Sequence, residues 1–143
     1  MRATEKNFLR FLEGTDKNFV IPIYQRNYDW RKENCKQLFS DLKDVVKDKY
    51  RTHFMGSIVN VYNQDSRNRE YIIIDGQQRL TTISILLLAI HNAIKSGDVE
   101  DNGVNITKIR EEYLIDKYAE ESKKIKLKPI KNDYIAFCKL FDS

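Results

Sequence analysis

The sequence predicts a single α+β domain, and three observations support this prediction. Short β-branched segments alternate with longer helical patterns along the 143 residues. Two of these segments, 54–62 and 69–74, flank a polar turn and are expected to pair as an antiparallel hairpin. The helical pattern at 80–96 is apolar on all sides in its middle, as in a helix that is buried on most sides. A chain of this length can bury one hydrophobic core.

The N-terminal part is predicted to contain a helix, a strand and a second helix. Residues 1–13 form an amphipathic pattern, and 19–22 have strand composition, with Pro22 at a sheet edge or a strand end. Asp29 is the expected N-cap of a helix over 30–49. The apolar stripe of that helix is Cys35, Leu38, Leu42, Val45 and Val46.

The C-terminal part is predicted to add two helices and a strand. A charged helix is expected over 106–122, and an edge strand over 125–130. The basic residues of 123–131 alternate along this strand, which favours a solvated edge over a DNA-binding strip. Asn132 or Asp133 is the expected cap of a last helix. The sequence stops inside the apolar pattern of that helix, which suggests a piece of a longer protein.

Composition and charge limit the possible classes of protein. Hydrophobic residues make up 41% and charged residues 32%, which is usual for a globular domain. The net charge of +4 permits contact with nucleic acid but does not by itself indicate it. Cys35 and Cys138 form no metal or redox motif, and His53 and His91 lack the spacing of metal ligands. With no signal peptide and no apolar run long enough to span a membrane, the sequence indicates a cytoplasmic protein.

The turn at 75–79 is the main candidate for a functional site. An apolar strand there feeds a buried helix through a short polar turn, which exposes backbone N–H groups to an anion. Gly76 allows a tight turn or a close approach to a ligand, and the guanidinium of Arg79 suits phosphate. Positive charge at a helix N-terminus is unfavourable by itself, so Arg79 requires a counter-anion. Either Asp75 within the turn or a bound phosphate would supply it.

Two neighbouring features support a functional reading less strongly. The adjacent amides of Gln77 and Gln78 require partners that a simple turn does not provide, although they would also satisfy nearby backbone groups. The aromatic, polar and basic segment 24–30 has two interpretations. Either Arg26 reaches phosphate while an aromatic ring stacks on a base, or Tyr28 and Trp30 only pack the following helix.

Three motifs in this order carry a resemblance to a known family. They are the segments 21–30 (IPIYQRNYDW), 54–59 (FMGSIV) and 74–82 (IDGQQRLTT). The set resembles the N-terminal domain of GmrSD-type, modification-dependent restriction endonucleases and related phage-defence proteins. The resemblance implies a ParB- and sulfiredoxin-like fold, a small mixed sheet with surrounding helices. In such folds a Gly-x-x-Arg turn, here Gly76 to Arg79, holds a nucleotide.

The resemblance also implies that nucleotide hydrolysis and DNA cleavage are carried out by different domains. The domain would bind and hydrolyse a nucleoside triphosphate (ATP, GTP or CTP), with Mg²⁺, and would couple this to restriction of modified DNA. A separate C-terminal HNH nuclease domain or subunit would cut the DNA, and this chain has no such histidine cluster. The expected domain spans 1–143, with its core at about 18–97 and a helical extension with an edge strand at 98–143.

The expected site combines both motifs. The candidate catalytic residues are Asp75, Gln77, Gln78 and Arg79, with Asp75 also the possible Mg²⁺ ligand. The candidate nucleotide-binding residues are Gln25, Arg26, Tyr28, Gly76, Arg79 and Thr81. Arg26 and Arg79 are expected to face one pocket. The competing class is a non-catalytic module that binds DNA or a partner, with a purely structural turn at 75–79. A nuclease active site in this domain is the weakest reading, since only Asp75 is an obvious metal carboxylate there.

Overall fold

The computed structural model describes residues 8–47, 57–63, 69–121 and 124–142. Within these ranges a four-stranded mixed sheet is accompanied by helices, which confirms the α+β class. The elements are α1 (Phe8–Leu12), β1 (Lys17–Val20), α2 (Lys32–Lys47), β2 (Val59–Asn63), β3 (Arg69–Asp75), α3 (Gln77–Lys95), α4 (Ile106–Lys108), a π-helix (Ile109–Leu114), β4 (Leu127–Lys128) and α5 (Lys131–Phe141). The first residues of the predicted helix 1–13 and of the predicted strand 54–62 lie outside the described residues.

The sheet has the strand order β2-β3-β1-β4. Strands β2 and β3 pair antiparallel, which confirms the predicted hairpin. Strand β1 runs parallel to both β3 and β4, so it lies inside the sheet rather than at its edge. Pro22 therefore follows the end of a central strand, where a missing N–H removes no ladder hydrogen bond. Strand β4 is at the edge, as predicted.

The main core lies between the sheet, α1, α3 and α5. Its buried side chains are Leu12, Phe19, Ile21, Ile73, Leu80, Leu127 and Phe137. Phe19 also stacks on Tyr71 with ring centroids 5.7 Å apart. Burial of each large apolar side chain contributes roughly 1.5–3 kcal/mol. A second cluster of Leu88, Ile109, Leu114 and Ile115 extends this core, so residues beyond 97 contribute to both clusters.

Helix α3 begins three residues before the predicted start at residue 80. The reason is Gly76, whose φ of +94° ends β3 and turns the chain directly into the helix. Gln77, Gln78 and Arg79 therefore occupy the first helical turn instead of a loop. The predicted burial holds for Leu80, Ile83 and Leu88, whereas Ala89 and Ile90 are exposed.

The predicted helix over 106–122 is wrong in its second half. Helical structure ends at Leu114, and Ile115 forms an isolated antiparallel bridge with Ile125. The backbone N–H of Asp116 donates to the carbonyl of Lys124 at 2.7 Å. The bridge and this hydrogen bond bring 124–125 back beside 115–116, and β4 follows at Leu127–Lys128.

The predicted solvated edge at 123–131 is wrong for Lys126. This residue is 1% exposed, and its ammonium donates to the carbonyls of Leu12 at 2.8 Å and Glu112 at 2.5 Å. Desolvation by burial, together with repulsion from Lys17, lowers the pKa of Lys126 to about 8. Attraction by Glu112 and Asp116 raises this pKa and offsets only part of the decrease. The alternating pattern missed this because the aliphatic stem is buried while the ammonium donates to two backbone carbonyls.

Two predicted helix caps are also wrong. Asp29 does not cap α2; instead Asn34 in the first turn accepts the backbone N–H of Arg31, which is half of a capping box. Of the stripe predicted for α2, Leu38 is buried but Val46 is 81% exposed. Helix α5 has Ile130 at its N-cap position and no side-chain cap. Among the described helices, none is long and apolar enough to cross a membrane.

Candidate functional site

The candidate site lies where β3 leads into α3, at Gly76. A Cβ atom on this residue would lie 3.0 Å from the Ser57 carbonyl oxygen and 3.0 Å from Cγ1 of Ile58. Both its positive φ and this close approach therefore require glycine. The Gly76 N–H donates to Oδ1 of Asp75 at 2.9 Å, which fixes the turn locally. The predicted tight turn is confirmed, and the atoms that approach Gly76 closely belong to Ser57 and Ile58 of the same chain.

The N-terminus of α3 has no side-chain cap. Its first backbone hydrogen bond runs from the Leu80 N–H to the Gly76 carbonyl at 3.0 Å. The preceding N–H groups of the first turn, those of Gln77 to Arg79, have no helical carbonyl four residues before them. These donors, with the helix dipole, give this end of α3 partial positive charge.

Arg79 is exposed in this first turn. Among the described residues its guanidinium forms no hydrogen bond and no ion pair. The internal pairing of Arg79 with Asp75 is therefore not formed, and Asp75 accepts the Gly76 N–H. Arg79 thus adds a cation to a helix end that is already positive.

The two glutamines connect α3 to residues 21–31, which join β1 to α2 and are called the 21–31 loop. Gln78 donates from Nε2 to the Asn27 carbonyl and accepts from the Asp29 N–H, both at 3.0 Å. Gln77 donates to Oε1 of Gln25 at 3.3 Å, and Gln25 donates in turn to the Ile74 carbonyl at 3.0 Å. The two sequence motifs are therefore one hydrogen-bonded unit.

Tyr28 attaches the middle of the 21–31 loop to the rest of the domain through two groups, its phenolic hydroxyl and its backbone N–H. Its phenolic oxygen lies 2.8 Å from Oγ1 of Thr82 and 3.5 Å from Sγ of Cys35. Its backbone N–H donates to Oδ2 of Asp133 at 2.6 Å. Burial, with the contact to Cys35, raises the pKa of Tyr28 to about 12. Tyr28 is therefore a neutral hydrogen-bonding group near pH 7 and is unsuited to act as a base.

A small cleft lies between the 21–31 loop, α3 and the start of α5. Its lining residues are Ile21, Arg26, Tyr28, Gln77, Gln78, Thr81, Pro129, Ile130 and Asp133. Arg26 is the cation of this lining and lies 3.6 Å from Oδ2 of Asp29, with both side chains largely exposed. Arg79 is absent from the lining because it lies about 160° around α3 from Thr81.

The structure thus divides the sequence-predicted residues into two groups. The cleft is lined by Arg26, Tyr28, Gln77, Gln78 and Thr81, and Gln25 is bonded to Gln77 without being part of the lining. The helix end holds Asp75, Gly76 and Arg79. A site shared by Arg26 and Arg79 remains a prediction, and a ligand long enough to bridge the two groups would be needed.

Sequence reasoning missed Thr82 and Asp133. Thr82 follows the predicted motif residue Thr81, and both hydroxyls donate to carbonyls one turn earlier, so no local pattern distinguishes the two residues. Asp133 was assigned as a helix cap, and it reaches Tyr28 across 105 residues of sequence. No local pattern signals a contact over that separation.

Asp75 is the candidate Mg²⁺ ligand. Its carboxylate is exposed, and Oδ1 is engaged with the Gly76 N–H. Among the described residues, no three His, Cys, Asp or Glu side chains come together as a metal site. Mg²⁺ commonly binds through one or two carboxylates together with phosphate oxygens and water, so a lone Asp75 fits that mode.

The fold and site define a small α+β domain in which two sequence motifs meet at the N-terminus of one helix. The family model of the N-terminal domain of GmrSD restriction endonucleases matches residues 8–143. The chain therefore belongs to this family of restriction-endonuclease domains, which confirms the resemblance seen in its motifs. A comparison with curated protein sequences gave no match.

Proposed function

We propose that this domain binds a nucleoside triphosphate at the N-terminus of α3, hydrolyses it and thereby gates DNA restriction. The observation that carries the proposal is the position of Arg79, an exposed arginine with no partner among the described residues, in the first turn of an uncapped helix. A cation at this end opposes the helix dipole and costs free energy unless an anion offsets it. A phosphate group would accept hydrogen bonds both from the free N–H groups and from the guanidinium.

The proposed binding mode places the phosphates at the helix end and extends the ligand toward the cleft. The Gly76-to-Arg79 spacing is the Gly-x-x-Arg turn that the ParB- and sulfiredoxin-like resemblance implies. Arg26 would approach the same ligand from the cleft side, and it would have to release Asp29, 3.6 Å away. That exchange costs little because exposed ion pairs contribute only about 0–1 kcal/mol.

The proposed catalytic roles differ between the two glutamines. Both ends of the Gln78 amide are bonded to the 21–31 loop, so Gln78 would position that loop. Gln77 uses its Nε2 for Gln25, and its Oε1 has no partner among the described residues, so it would be the one to orient the attacking water. Asp75 would hold Mg²⁺, which supplies charge neutralisation at the phosphates when bound.

The link to DNA follows from the family. A restriction endonuclease acts on DNA, and we propose that a separate nuclease region of the complete enzyme cuts it. The domain described here would control that region through its nucleotide state. Contact with DNA, modified DNA above all, would then involve the complete protein and not this site alone.

Equilibrium titration tests the proposal. The protein is titrated with ATP, GTP and CTP, each with and without Mg²⁺, and phosphate release is followed in parallel. We expect saturable binding of at least one triphosphate and a rise in melting temperature with its concentration. A folded protein that binds none of them would overturn the proposal.

The competing function is a non-catalytic DNA- or partner-binding module. The observation in its favour is that Gln77 and Gln78 both have a structural task in holding the 21–31 loop. Duplex titration separates the two functions. The nucleotide-gate account predicts weak binding of DNA by this chain, with a steep loss of affinity as salt increases, because its net charge is only +4. Tight, salt-insensitive, sequence-specific binding would favour the module.

A further inference from the structure

Beyond Ile21, which is buried in the main core, the 21–31 loop is attached mainly through polar groups. At its tip Ile23 is 89% exposed and Tyr24 is 72% exposed, so apolar burial does not hold that part in place. The loop is instead bonded by the glutamines on one side and by Asp133 on the other. The exposed part of the loop depends for its position on these bonds, together with those of the Gln25 side chain and the Tyr28 hydroxyl. A segment with little buried surface opens at low free-energy cost, so the loss of one of these bonds is expected to change where Arg26 lies.

Asp133 occupies a particular place among these bonds. It lies in the first turn of α5, where its negative charge is favourable toward the helix dipole. Its Oδ2 accepts the Tyr28 N–H at 2.6 Å, a short bond to a charged acceptor, and such bonds are stronger than neutral ones. It also lines the cleft together with Arg26 and the α3 side chains.

Helix α5 is itself fixed to the core. Phe137, one turn after Asp133, is buried in the main cluster, and its ring lies 5.4 Å from that of Phe141. The start of α5 follows β4 directly, and β4 is paired with β1, the strand from which the 21–31 loop departs. Asp133 therefore holds the loop from a helix other than α3, and that helix is fixed in the main core.

We propose that Asp133 is a positioning residue for the nucleotide site. By holding the Tyr28 N–H, it keeps the 21–31 loop against α3 and sets the distance of Arg26 from the ligand. The affinity part of this inference rests on the proposed function, whereas the positioning of the loop does not. Asp133 touches the loop and not the phosphates, so its loss acts through Arg26 and Tyr28.

Three variants test this proposal. Asp133→Ala removes the acceptor, Asp133→Asn keeps an oxygen that accepts the N–H but loses the charge, and Asp142→Ala removes a carboxylate from the exposed far end of the same helix. Hydrogen–deuterium exchange of peptides covering 22–31 reports on the loop without any ligand. Titration with ATP, GTP and CTP in the presence of Mg²⁺ reports on the site.

We expect loop exchange at least fivefold faster in Asp133→Ala, intermediate exchange in Asp133→Asn, and parent rates in Asp142→Ala. The triphosphate affinity should follow the same order, with at least a threefold loss in Asp133→Ala. Parent-like loop exchange in folded Asp133→Ala, or equal effects of Asp133→Ala and Asp142→Ala, would overturn the proposal. If Asp133→Ala does not fold, Asp133→Asn decides, and parent exchange in that variant overturns it. If the parent binds no triphosphate, the proposed function fails, and the exchange result alone decides whether Asp133 positions the loop.

Discussion

The side chain of Gln78 accepts a hydrogen bond from the backbone N–H of Asp29 at 3.0 Å, across 49 residues of sequence. The same side chain donates to the Asn27 carbonyl, also at 3.0 Å. One amide therefore pairs with two backbone groups of the 21–31 loop, much as a neighbouring strand would. Because Gln78 is buried in the first turn of α3, this pairing fixes the loop to the candidate phosphate site.

Removing this amide should destabilise the protein. Gln78→Ala loses two hydrogen bonds that contribute about 0.5–1.5 kcal/mol each, so we expect the free energy of unfolding to fall by about 1–3 kcal/mol. Urea denaturation measures this change. The matched control is Gln37→Ala, since Gln37 donates to Asp41 on the exposed surface of α2 and its loss should cost well under 1 kcal/mol. Equal stability of the two variants would show that the Gln78 pairing does not hold the loop.

Alanine at Gly76 should be more costly than alanine at another glycine of similar conformation. Both Gly76 and Gly97 have positive φ, +94° and +85°, so either substitution introduces backbone strain of about 1–2 kcal/mol. Only at Gly76 would the new Cβ meet other atoms, 3.0 Å from Ser57 and Ile58, whereas nothing lies within 4 Å at Gly97. We expect a lower melting temperature for Gly76→Ala than for Gly97→Ala. Indistinguishable melting curves would contradict the close contacts that a Cβ atom at Gly76 makes with Ser57 and Ile58.

The buried ammonium of Lys126 should make stability depend on pH. Its pKa is about 8 in the folded chain and 10.5 as its ordinary value, so the unfolded chain binds more protons at this residue between those two pH values. The contribution of Lys126 to the free energy of unfolding therefore increases as the pH rises from about 8 to 10.5. Below pH 8 the destabilisation caused by burying the charged ammonium is present in full.

Urea denaturation of the parent and of Lys126→Met at pH 7, 8, 9 and 10 checks this sign. The stability of the parent relative to the variant should increase over the upper part of this range. Lys139→Met, at an exposed lysine of α5, provides the control for general charge effects. Parallel profiles for the parent and Lys126→Met would contradict the assigned burial.

The sequence predicted the parts of the fold that depend on local pattern. The β2–β3 hairpin and α3 follow from β-branched runs, polar turns and apolar periodicity, and these features act over a few residues. The end of the helical segment at Leu114 was not predictable in this way. It depends on the bridge between Ile115 and Ile125, which the charged and helix-compatible sequence after Leu114 does not signal.

The candidate site was predictable to a similar extent. The glycine and the arginine of a strand-to-helix turn can be recognised from the local sequence. The same holds for two adjacent amides that require hydrogen-bond partners. The roles of Lys126 and Asp133 depend instead on which carbonyl or N–H the fold brings to each side chain. Charged residues that alternate along a strand are usually solvated, and an aspartate that begins a helix usually caps it, so the local patterns predict roles that Lys126 and Asp133 do not have.

The most direct test of the central claim is calorimetric titration of Arg79→Ala with the triphosphate that binds the parent most tightly. Arg79 is exposed, has no partner among the described residues and opposes the helix dipole, so its loss should not lower the melting temperature of the ligand-free protein. A charge-assisted hydrogen bond contributes about 1.5–3 kcal/mol, so the affinity should fall at least tenfold. Lys95→Ala, which removes a cation from the other end of α3, should bind like the parent. A folded Arg79→Ala variant that binds every triphosphate as tightly as the parent would contradict the account.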